Sequence, residues 1–188
     1  AAHPDLTLVL REWPTAEVLD ALQRDRLDVA LIATDEAGPD LYDDVLFTEP
    51  FVGYVAADHP LADRDQLTAA DLSADDLWLL SEGHCFRDQV LQVCGHAPAA
   101  PRHTAQFESG SLETLVHLVR HSGGLTLLPA LATHHMPPAE HQTHVLPFEP
   151  PAPTRDIRLV GRRRHKQPLV DAVVHTLHAA LPDTVTTP

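Results

Sequence analysis

The sequence predicts an α/β chain. Short runs rich in Val, Leu and Ile alternate with segments whose apolar residues recur every three to four positions, as strands interleaved with amphipathic helices do. One run, Leu27 to Ala33, is so largely apolar that it reads as a strand of the buried, parallel-sheet kind. The third observation is size. With 188 residues and 44% hydrophobic content, the chain can form one large domain or two small lobes around a real core.

Taken in order, Leu6 to Leu10 opens the chain as a β-type run. Thr15, after Pro14, is the expected N-cap of a helix over 16–25 with Val18, Leu19 and Leu22 as its buried stripe. The strand at 27–33 is followed by two more, at 41–47 and 51–57, and by a turn at Asp58-His59-Pro60-Leu61. Thr68 caps a short helix over 68–72, and Leu77 to Leu80 is a strand delivering the chain to Cys85. Helical spacing of Phe86, Val90 and Val93 predicts a helix over 86–94. A loop at 95–103 and a strand at 104–108 precede a helix capped by Ser111, with Leu112, Leu115, Val116 and Val119 as its stripe and Gly123-Gly124 as its stop. Then come a strand at 125–128, a helical turn at 129–133 and a polar loop at 134–144 containing Pro137 and Pro138. A strand at 145–148, a proline-rich run at 149–153, a strand at 155–162, a helix at 168–181 and a seven-residue tail complete the chain.

Thirteen basic residues against 27 acidic ones give a formal charge of −14, a surface that repels phosphate backbones. Arg162-Arg163-Arg164-His165-Lys166 reads as a solvated loop after a strand and not as a nucleic-acid contact. No apolar run approaches the ~20 residues of a membrane span, and the first ten residues do not read as a signal peptide. Two cysteines in that setting fit a reducing compartment, where a disulfide is regulatory and not structural.

Those two cysteines, Cys85 and Cys94, lie nine positions apart inside the predicted helix. A continuous helix would separate their Cα atoms by roughly 13 Å and turn the side chains to opposite faces. A disulfide needs Cα atoms within ~7 Å, so the pair is helical or bonded but not both. Cys85, in the first turn between His84 and Arg87, has surroundings that favour the thiolate, whereas Cys94 beside Val93 has none. Spacing leaves two readings open: a redox switch, or two buried and inert thiols.

The string Glu82-Gly83-His84-Cys85 running into Arg87-Asp88-Gln89, with Cys94 beyond, closely resembles the redox site of the peroxide-sensing LysR-type transcriptional regulators. Ser111-Leu112-Glu113-Thr114-Leu115 and the stretch Gly123 to Leu131 extend the resemblance, which runs from about residue 3 to about residue 181. It implies a two-lobed domain like the periplasmic binding proteins, with lobe I at 1–48 plus 155–188 and lobe II, carrying the thiols, at 49–154. The family's domain opens with a strand, a loop and a helix ahead of the segment matching Ala1-Ala2-His3-Pro4. The first strand and helix of lobe I are therefore expected to be missing here, as is the DNA-binding region.

The function so implied is that of a cytoplasmic redox-sensing regulatory domain, a stoichiometric sensor and not an enzyme, switching through a reversible Cys85–Cys94 disulfide. Cys85 would attack the peroxide and Cys94 would resolve the product. His84, Asp88 and Thr15 would bind and orient hydrogen peroxide, Arg155 would support the thiolate or its loop, and Arg87 is a further candidate. No cofactor or metal is implied. The implied partners are hydrogen peroxide, further copies of the chain (a dimer or tetramer), DNA through a separate N-terminal domain, and a cellular thiol reductant, with no membrane.

The alternative is a small-molecule effector domain in which Ser109 and Ser111, at a helix N-terminus, hold a ligand carboxylate. Such a domain would survive loss of Cys85. A zinc site drawn from Cys94, His96, Cys85 and His103 lacks the paired spacing structural zinc uses. His134, His135, His141 and His144 read as solvated. Neither a Gly-x-Ser-x-Gly elbow nor a phosphate loop is present.

Overall fold

One strand organises the molecule. In the computed structural model, which describes residues 7–35, 37–38, 40–72, 76–82, 84–95, 110–162 and 167–188, β2 runs unbroken from Leu41 to Val55 through two sheets. The elements before it are α1 (Thr15–Gln23) and β1 (Val29–Ile32). After it come a 3₁₀ turn (Ala69–Asp71), α2 (Cys85–Cys94), α3 (Leu112–Ser122), β3 (Leu125–Pro129) and α4 (Ala130–Thr133). The chain closes with α5 (Pro138–His144), β4 (Val145–Pro147), β5 (Thr154–Arg162) and α6 (Gln167–Ala180).

The first part of β2 pairs with β5, from Leu41↔Arg162 to Pro50↔Thr154, and β5 in turn pairs with β1. From Phe51 onward β2 pairs instead with β3, and its Val52–Tyr54 stretch with β4. Sequence reading splits this strand because a proline demotes a central strand. Pro50 is tolerated because it stands where the partner changes from β5 to β3. All these pairings are antiparallel, so Leu27 to Ala33 is not the parallel strand its apolar run suggests.

Three apolar clusters flank the sheets. Val18 and Leu22 of α1 pack on Ile32, Leu41 and Val160, while Val170 of α6 packs with Leu46, Phe47, Ile157 and Leu159. Leu159 and Val160 thus face opposite helices, as strand alternation requires. The largest cluster joins Phe51, Tyr54, Leu67, Trp78, Leu115, Val119 and Leu127 to Phe86, Val90 and Cys94 of α2.

Several predicted elements change. Thr15 is the first residue of α1 and not its cap; Pro14 takes that position. Thr7 to Leu10 lies in no strand, and Leu8, Val9 and Leu10 are exposed, because β propensity without a pairing partner fixes nothing. Leu77 makes a single bridge, to Leu125, in place of a strand at 77–80. Gly124 explains the tightness there: at φ 83° its Cα lies where a Cβ would sit 2.4 Å from the Asp76 carbonyl oxygen. The polar stretch 134–144 is helical from Pro138, since a proline pair that reads as a breaker also opens a helix well. The tail is tied down, with Thr186 and Thr48 exchanging backbone bonds of 2.7 and 2.9 Å. The predicted strand at 104–108 lies outside the described residues, as do His96, His103 and Ser109. No helix among the described residues is long and apolar enough to cross a membrane.

Candidate functional site

The helix α2 forms for reasons visible in its ends and its faces. His84 takes the N-cap position with extended φ −90° and ψ 119°, and its carbonyl accepts the Arg87 amide at 2.9 Å. Gly95 closes the other end in the left-handed conformation at φ 71°. Phe86, Val90 and Cys94, four residues apart, form the buried stripe. Val93 is partly buried: it packs against the same core as Phe86 and Val90 and also reaches the rim of the cleft.

The opposite face of α2 lines a cleft of ≈ 1480 Å³ between the start of α1, the end of β1 and the start of β5. Thr15, His84, Cys85, Asp88 and Arg155 all line it. Five of the seven sequence-predicted residues are therefore brought to one cavity. Cys85 is half-buried there with a free thiol. His84 is seated on Gly110, whose missing Cβ would lie 2.7 Å from two imidazole ring atoms.

The other two stand elsewhere. Cys94 is 8% exposed at the far end of α2, a free thiol inside the main core, and burial pushes it up from the ordinary thiol range. Arg87 donates from Nη1 to the Leu80 carbonyl at 3.0 Å, tying α2 to the segment before it. Arg87 is not among the residues that line the cleft.

Arg155 has a partner the sequence did not announce. Its Nε and Nη2 donate to Glu49 Oε1 at 2.8 and 2.7 Å, and Glu49 is 1% exposed. The guanidinium carbon lies 5.3 Å from the centroid of Phe86, which stacks on Phe51 at 5.7 Å. The available signal was a lone carboxylate, Glu49, inside the apolar run from Val45 to Val52. Gln89, also missed, donates to the Ala33 carbonyl and so joins α2 to the end of β1.

The histidine-rich stretch is a correction in part. His144 is not simply solvated: its Nδ1–H donates to the Val55 carbonyl at 2.7 Å, and its ring stacks on Tyr54 at 5.1 Å. His134, His135 and His141 are exposed. Among the described residues no three His, Cys, Asp or Glu side chains converge as metal ligands do.

A strand shared by two sheets and a cleft between two packed regions, with a thiol-bearing helix on its wall, give the architecture of a periplasmic-binding-protein-like domain. Residues 1–182 match the model of the LysR substrate binding domain, and the chain belongs to that family, one of transcription regulators. It is 37% identical over 161 residues to the DNA-binding transcriptional dual regulator OxyR of Escherichia coli K12, covering 85% of this chain and 51% of that protein. The chain thus spans about half the length of the curated relatives it matches. Reduced OxyR from Porphyromonas gingivalis superposes with a TM-score of 0.82 at 30% identity, over 97% of this chain and 83% of that one. Crystal structures of the reduced and oxidised forms of OxyR superpose with TM-scores of 0.77 and 0.73, at 31% and 32% identity, over 95% of this chain and 82% and 83% of theirs.

Proposed function

We propose that the chain is the redox-sensing regulatory domain of a hydrogen-peroxide-responsive LysR-type transcription regulator, a stoichiometric sensor and not a turnover enzyme. The observation that carries this is the placement of two free thiols on opposite faces of one ten-residue helix, Cys85 in a cleft and Cys94 in the core.

Cys85 is the peroxide-reactive group. Its thiolate, at a helix N-terminus that favours negative charge, attacks one peroxide oxygen. An S–O bond forms, the O–O bond breaks, and the departing oxygen takes a proton to leave as water. His84 and Asp88 on α2 and Thr15 on α1 are the polar groups that bind and orient the peroxide in the cleft. Cys94 then loses its proton and attacks the Cys85 sulfenic sulfur; the S–S bond forms and a second water leaves. A helix holds the two Cα atoms roughly 13 Å apart, so this second step unwinds α2. Withdrawing Phe86 and Val90 from the core costs about 1.5–3 kcal/mol each, which makes the disulfide easily reduced by a cellular dithiol.

Two lobes, at 1–48 plus 155–188 and 49–154, are supported by the way the clusters divide. The main core draws its buried residues from Phe51 to Phe148, the other two from Val18 to Phe47 and Ile157 to Val170. DNA binding would come from a separate N-terminal domain, with cytoplasmic location and self-assembly following from that role. Thiol counting by mass spectrometry before and after one equivalent of peroxide tests the reading: two thiols should become none, with a Cys85–Cys94 bond.

A second reading, a domain that binds a larger organic effector, is favoured by the cleft's ≈ 1480 Å³, far more than peroxide fills. Ser111 stands at the α3 N-cap beside cleft residue Gly110. An effector that binds Cys85→Ser as well as the parent chain would favour this reading.

A further inference from the structure

Behind the first turn of α2 lies a buried ion pair that the thiol steps themselves do not use. Glu49 and Arg155 are register partners on β2 and β5, at the last rungs before β2 changes sheets. Both Nε and Nη2 of Arg155 donate to one oxygen of Glu49, and the other oxygen accepts the Leu131 amide of α4 at 3.2 Å. The carboxylate is thus anchored to two elements and cannot turn without losing a bond to one of them. The guanidinium it holds lies over the Phe86 ring, within the reach of a cation–π contact. Phe86 is the residue after Cys85 and must leave its site when α2 unwinds.

We propose that Glu49 is a positioning residue for the thiol switch: through Arg155 it clamps Phe86 and keeps the first turn of α2 wound while Cys85 is reduced. This inference rests on the sensor reading above for its consequence, though not for the clamp itself. Arg155 is spoken for by Glu49, so its main effect on Cys85 is exerted through the helix and not as a free counter-ion. A clamp made only in the wound form biases the equilibrium toward the dithiol. Weakening it should speed local opening of α2 and shift the balance toward the disulfide. In that balance the dithiol loses two electrons and two protons, taken up by an oxidised dithiol of the redox buffer.

The test uses the 188-residue chain and its Glu49→Gln, Phe86→Leu and Asp43→Asn variants. Asp43 pairs with Arg158 on the same two strands and serves as the control. In the reduced chain, amide exchange over residues 86–90 should accelerate about tenfold in Glu49→Gln and in Phe86→Leu, with α3 unchanged. In dithiothreitol buffers, the ratio giving half disulfide should move about tenfold toward the reducing side, which is about 30 mV. Wild-type exchange rates in a folded Glu49→Gln chain, or equal acceleration in Asp43→Asn, overturn the proposal. Should Glu49→Gln not fold, Phe86→Leu decides by the same two readings. A wild-type chain that forms no Cys85–Cys94 bond sinks the sensor reading alone, because the exchange measurement still judges the clamp.

Discussion

The two ends of α2 carry the same side chain and place it in opposite surroundings. At the N-terminal end Cys85 lines a cleft with His84 and Asp88; at the C-terminal end Cys94 belongs to the main core, with Val90, Leu115 and Val119. One is accessible but waits for a reagent; the other is shielded until the helix that shields it gives way. The difference teaches how, on the sensor reading, surroundings alone would set the order in which two identical side chains react.

The largest expected effects separate the two ends outright. Cys85→Ser should lose peroxide reactivity altogether, while Cys94→Ser should react once and stop at a sulfenic acid that dimedone traps. Peptide mapping reads both, and dimedone on Cys94 in the Cys85→Ser chain would reverse the assignment. Next come the two arginines near the reactive end. Arg155→Ala strands the charge of Glu49 in the interior and should cost about 3–5 kcal/mol in urea unfolding. Arg87→Ala loses one bond to a backbone carbonyl, at a cost of about 1 kcal/mol. Equal costs would mean the Glu49–Arg155 pair is not a buried anchor.

Titration sharpens the contrast at the other end. Burial holds the Cys94 thiol above its ordinary range, and the Tyr54 phenol, buried and bonded to Glu140, is raised as well. Both keep their protons more tightly folded than unfolded. Their contribution is therefore complete below the ordinary thiol pKa of about 8.5 and is lost as pH climbs through the raised folded values. Stability of the reduced chain should begin to fall above about pH 8.5, and Cys94→Ala should remove the earlier part of that fall. A profile identical in Cys94→Ala would assign the loss elsewhere. The smallest effect is at the C-cap: Gly95→Ala puts a Cβ into left-handed backbone at φ 71°, costing about 1 kcal/mol and fraying the Cys94 end first. Amide exchange that rises instead near Cys85 would contradict that order.

What could be read from the sequence was what local periodicity and end signals encode. The stripe Phe86-Val90 and the stop at Gly95 are local, and α2 falls where they place it. The gathering of Thr15, His84, Asp88 and Arg155 at Cys85 came from a resemblance, not from spacing, because three separate elements supply them. Glu49 could not be matched to Arg155, since nothing local links residues 106 positions apart. Pro50 and the Pro137-Pro138 pair misled for the same reason. A proline rule describes a typical site, and these stand at a change of sheet and at a helix start.

The long reach of β2 has a consequence for how the chain is built. Its second half closes a sheet with β3 and β4, all within residues 51–147, whereas its first half waits for β5. During synthesis the region that holds α2 can therefore assemble on the ribosome while Leu41 to Thr48 remains an unpaired edge. Only when the final stretch emerges does the ladder zip shut, an event of high contact order and so a slow one. A nascent chain arrested after residue 150 is expected to protect α3 and β3 from protease but not the 41–48 edge. Birth, on this account, completes the thiol helix before the wall that faces it.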